Sequence, residues 1–108
     1  MSSQEFVSEC NRYILRIYFS EIDIMPYGMA FFKSRNTGHS WIIILGSNGK
    51  LKTLHRHTDN DSYHSQNFPS KTIEEIIYDI ICHDSWQLKG RPTRSAPIRY
   101  TYALKKGL

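Results

Sequence analysis

Apolar and polar positions fall into short blocks along this chain, and each block has its own period. Phe6, Val7, Cys10, Ile14 and Ile17 recur at helical spacing, with Arg12 and Arg16 off that stripe and Ser3 placed to cap it. A helix over residues 3 to about 18 follows. Tyr13, Ile14, Leu15, Ile17, Tyr18 and Phe19 are also good strand formers, so the far end of this helix has an extended alternative. Pro26-Tyr27-Gly28 then breaks the chain. Met29 to Lys33 and Trp41 to Leu45 are apolar runs bounded by polar turn residues, the pattern of central strands covered on both faces. Ser47-Asn48-Gly49 predicts a hairpin turn into the mixed run Lys50 to His57, because Asn-Gly accepts positive φ. Asp59-Asn60-Asp61-Ser62 marks the next turn.

The second helix has the clearest local signature. Thr72 and Glu75 are spaced as a capping box, and Ile73, Ile76, Ile77, Ile80 and Ile81 form an i, i+3, i+4, i+7, i+8 stripe that must bury against the sheet. Residues 87 to 97 contain Gly90, Pro92 and Pro97 among Lys89, Arg91 and Arg94, which predicts an exposed basic loop. Ile98 to Leu104 adds a candidate edge strand with Tyr100 and Tyr102 on one face. Helix, antiparallel meander, helix and tail make one α+β domain over residues 1–108, a central antiparallel sheet flanked by two helices.

Composition narrows the functional classes. With 108 residues, 40% hydrophobic and 13% aromatic, the chain can bury a modest core and is not compositionally disordered. The formal charge of +4 favours anionic partners such as phosphate, nucleic acid or acidic peptide. Cys10 and Cys82 lack Cys-x-x-Cys spacing and are expected to be buried free thiols, which suits a reducing compartment. No apolar run reaches the roughly 18 residues of a membrane span, and no signal region opens the chain, so a soluble cytoplasmic protein without membrane partners is expected.

Three chemistries compete. Lys33, Ser34, Arg35, Thr37 and the Gly38 amide lie within one loop and supply the cations, hydroxyls and backbone donors that a phosphate needs. Strand alternation puts His55 and His57 on the face of Thr53, with Lys52, Leu54 and Arg56 opposite. His55-x-His57 with His64, His39 or Asp59 could supply zinc ligands, but the spacing matches no closed four-ligand pattern, and no metal set is assigned. Basic residues interleaved with Tyr and Trp could stack on single-stranded nucleic acid, without the strand or loop signatures of a named module. No nucleophile elbow, phosphate-binding P-loop or His-Glu-x-x-His occurs, so no catalysis is expected.

The order and spacing from Pro26 to Ile81 resemble the SH2 domain, the phosphotyrosine-peptide module. Pro26-Tyr27-Gly28-Met29-Ala30-Phe31-Phe32-Lys33 is similar to that family's Pro-x-Gly followed by Phe-Leu-Val-Arg, with Lys33 at the arginine position. Ser34 to Ser40 is similar to its phosphate-binding loop, Gly49-Lys50-Leu51-Lys52 to the start of its fourth strand, and Phe68-Pro69-Ser70 through Ile77 to the start of its second helix. The resemblance implies a monomeric adaptor or effector, cytoplasmic or delivered into a host cell, that needs no cofactor and binds a phosphotyrosine-containing peptide or protein. It implies phosphate contacts from Lys33, Ser34, Arg35 and Thr37, with His55 and Lys52 flanking the phosphotyrosine ring and Arg16 (or Arg12) contributed by the first helix. A small basic protein of another α+β fold, binding nucleic acid or a protein complex, is the alternative.

Overall fold

A computed structural model describes residues 1–68 and 72–88. Helix α1 (Ser3–Tyr13) leads into five strands, β1 (Phe19–Met25), β2 (Met29–Ser34), β3 (Ser40–Leu45), β4 (Leu51–Arg56) and β5 (His64–Gln66), and helix α2 (Ile73–Leu88) follows. The strands pair antiparallel in chain order, a simple meander. This is the α+β architecture, a five-stranded antiparallel sheet with a helix before and after it.

Local chemistry explains where each element starts and stops. Ser2, not Ser3, caps α1: its hydroxyl accepts from the Glu5 amide while the Glu5 carboxylate accepts from the Ser2 amide. The helix stops at Tyr13, earlier than the apolar spacing predicts, and Ile14 takes extended backbone angles. A tight turn, with the Tyr18 and Phe19 amides on the Leu15 carbonyl, then swings both rings into the core and leaves Ile17 exposed. The β-branched and aromatic run after Tyr13 therefore serves the turn into β1, where Ile22 and Ile24 face the core and Glu21 and Asp23 face out. In α2 the expected cap is present, with the Glu75 amide on the Thr72 hydroxyl, and all five isoleucines of the stripe are buried. Each such burial is worth about 1.5–3 kcal/mol as an upper figure.

Both helices press on one face of the sheet. Phe6, Cys10 and Tyr13 of α1 and the α2 isoleucines share a single core with Ala30, Phe32, Trp41 and Ile43, and α1 touches α2. The opposite face carries Phe31, Lys33, Ile42, Leu54 and Arg56. β2 and β3 are thus central strands as expected, but among the described residues no helix covers their second face. Ile42 is buried there outside the main core, paired with Phe31 and Leu54 on the flanking strands. The basic loop expected from residue 89 and the strand expected at Ile98 to Leu104 lie outside the described residues, while Gln87 and Leu88 belong to α2.

Two hairpin glycines differ in their environment. Gly49 has φ 79° with open space around it, whereas Gly28 has φ 103° and an added Cβ would meet the Leu45 Cβ at 3.0 Å. The Gly28 carbonyl also accepts from the Leu45 amide at 2.8 Å, so the strand cannot simply retreat. Gly28→Ala is expected to destabilise the fold by about 1–3 kcal/mol, more than Gly49→Ala. Paired urea titrations of the two variants check that order.

Candidate metal centre

The residues expected to hold phosphate are not gathered into one pocket. Lys33 projects from the uncovered face and pairs with Asp59 at 3.2 Å, an ion pair shared with Arg56. Arg35 turns the other way, donating to the backbone carbonyls of Arg16 and Phe19 beside β1. The two cations thus diverge to opposite sides of β2. Ser34 is fully buried and accepts from the Trp41 indole at 3.0 Å. Thr37 donates to Asp84 at 3.2 Å. Lys52 is exposed on the face opposite His55, because β4 runs through its pairing with β3 without a register shift. Arg16 is exposed, and what it offers Arg35 is a carbonyl. Of the expected set, only Ser34, Thr37 and His55 face the helix-covered side.

That side holds a different constellation. All five histidines of the chain gather in one aromatic cluster. The sheet register builds it: Trp41, His55 and His64 lie in one cross-strand row over β3, β4 and β5. His39 and His57 occupy the next row, stacked with ring centroids 4.4 Å apart and planes 10° from parallel. His83 descends from α2 to 5.0 Å from the His55 ring. His39, His55 and His83 are 6%, 1% and 7% exposed, and one ring nitrogen from each lies within 4.8 Å of the others.

The distances suit a metal ion. His55 Nε2 and His39 Nδ1 share a hydrogen bond at 3.0 Å, whose proton an ion would replace. Two nitrogens bound to one tetrahedral zinc at about 2.0–2.1 Å would sit roughly 3.3 Å apart, so a small outward shift of the rings makes the edge of a coordination tetrahedron. The electrostatics suit it as well. Burial, and then the neighbouring His83, His39, His57 and His64, push the His55 pKa down to about 3, so its imidazole stays neutral and ready to ligate at neutral pH. His55 Nδ1 is buried without a hydrogen-bond partner.

A second buried network holds the frame around this cluster. Asp84, fully buried on α2, accepts from the Tyr18 hydroxyl at 2.7 Å and from Thr37, and the Ser34 hydroxyl also bonds it. Burial raises its carboxyl to about 6, and the three hydroxyl bonds only partly offset that. Thr37 also accepts from the His39 amide at 3.2 Å, which fixes the β2–β3 loop that carries His39. Trp41 stacks on His55 at 3.9 Å and closes the floor. Ser34 and Thr37, read as phosphate ligands, thus act as struts.

His83 is the residue that sequence reasoning missed. A signal for it exists: His83 follows Ile76 by seven positions and Ile80 by three, so it continues the buried stripe of α2 as a polar interruption. No disulfide joins Cys10 and Cys82; Cys10 is buried as expected, whereas Cys82 is only half-buried. Among the described residues, no helix is long and apolar enough to cross a membrane.

Comparison with protein-family models, with curated proteins and with solved structures gives no match. The SH2 resemblance therefore stands on the sequence pattern alone.

Proposed function

We propose that this protein binds one transition-metal ion of the zinc class through His39, His55 and His83. The observation that carries the reading is the convergence of three buried imidazoles from three separate elements to within 4.8 Å. Three buried imidazoles this close can share one soft-to-borderline divalent ion, which would take the place of the His55–His39 hydrogen bond. An all-nitrogen set disfavours calcium and magnesium, which take oxygen ligands. Because the ligands come from the β2–β3 loop, β4 and α2, the ion would fasten the last helix to the sheet.

Zinc at one hundred times its dissociation constant is expected to stabilise the fold by about 2.7 kcal/mol, seen as a rise of several degrees in Tm. Equilibrium dialysis should recover one ion per chain, and a chelator should reverse the shift. His83→Ala should abolish both effects while leaving a folded chain, since His83 sits at the rim of the isoleucine stripe. An unchanged Tm together with no retained ion would dismiss the reading.

A further inference from the structure

The three buried rings leave an access problem: an ion in water carries its hydration shell, and the triad itself is at most 7% exposed. The other two histidines, His57 and His64, are exposed at the margin of the same cluster. Both touch the buried set, His57 through His39 and also His55, 4.9 Å away, and His64 through His55. His57 lies flat against His39, and His64 meets His55 edge-on with ring centroids 5.3 Å apart. Their own centroids are 6.4 Å apart. A tetrahedral ion about 2.0–2.1 Å from each nitrogen would hold the two centroids roughly 5.2 Å apart, so the exposed rings need to close by about an ångström to share it.

Resting on the metal reading above, we propose that His57 and His64 form an outer capture site that takes the metal ion from solvent and passes it to His39, His55 and His83. The ion exchanges water for surface imidazoles one ligand at a time, so it never faces the apolar surroundings of the triad as a bare charge. His57 is well placed for the transfer, because its partner in the stack is itself a ligand. The outer pair contributes to the speed of uptake and little to the final affinity, which the buried set determines.

The test is rapid-mixing uptake of zinc by the full chain, with a parallel series in cobalt followed by absorbance. The double variant His57→Ala, His64→Ala is expected to bind one ion with an unchanged end point and unchanged Tm gain, but to load roughly tenfold more slowly. His83→Ala is expected to lose the end point itself. Loading of the double variant at the wild-type rate overturns the capture site and leaves the metal centre standing. A double variant that loses the end point as His83→Ala does makes the pair structural ligands and also overturns it. A wild-type chain that takes up neither ion overturns the metal centre and the capture site together.

Discussion

Trp41→Ala is expected to lower stability by about 3–5 kcal/mol, a large share of the roughly 5–15 kcal/mol that holds a domain of this size. Trp41 is fully buried, the largest side chain at the centre of the sheet. It stacks on His55, lies edge-on to His83 at 5.3 Å, and donates its indole N–H to Ser34. Truncation leaves a cavity beneath two members of the histidine triad and takes one of two partners from the buried Ser34 hydroxyl, so zinc affinity should fall with stability. Trp41→Phe retains an aromatic platform and gives up one hydrogen bond, for about 1 kcal/mol. Urea denaturation of both variants, with and without zinc, separates the terms. A loss below about 1 kcal/mol for Trp41→Ala would show that the indole is not what supports the centre.

Asp84→Asn is expected to turn a shallow acid response into a steep one. His55 has an ordinary value of 6.5 but protonates only near 3 in the folded chain, so below pH 6.5 the unfolded chain holds the extra proton. Acidification then destabilises the fold, by about 1.4 kcal/mol per pH unit while the difference of one proton lasts. Asp84 acts in the opposite sense: its carboxyl protonates near 6 when folded against 3.8 ordinarily. Between those values the folded chain holds the extra proton, and acidification stabilises it. The two effects oppose each other from about pH 6 to 3.8, and the wild type should change little there in metal-free buffer. Asparagine keeps an acceptor for Tyr18 and cannot titrate, so the variant should lose stability steadily as the pH falls. Thermal unfolding at half-unit steps from pH 4 to 6.5 reads the difference, and parallel curves for the two proteins would contradict the opposition of these groups.

The elements that the chain announced most clearly are those whose local chemistry and tertiary role agree. The α2 stripe, its Thr72–Glu75 cap and the Asn48-Gly49 turn each specify a conformation that the core then uses. β1 was missed because its signal, Ile22 and Ile24 between Glu21 and Asp23, is short and follows a helical stripe that would naturally continue through Ile17. Only the packing of Tyr18 and Phe19 decides that the helix ends at Tyr13. The site shows the same division. Alternation along β4 placed His55 and His57 on the face of Thr53, and the register bears this out. Alternation also put Lys52 on the other face, which is why the expected phosphate set does not assemble.

The amino-acid order alone determined the α+β class, the antiparallel meander from Met29 to Arg56 and the second helix, since each follows from contacts or periodicities a few residues long. Tertiary structure alone decided that both helices share one face, that Lys33 and Arg35 part company around β2, and that His83 meets His39 and His55. Side chains 28 and 44 positions apart in the chain share no local pattern, and only the docking of α2 on the sheet brings their nitrogens together.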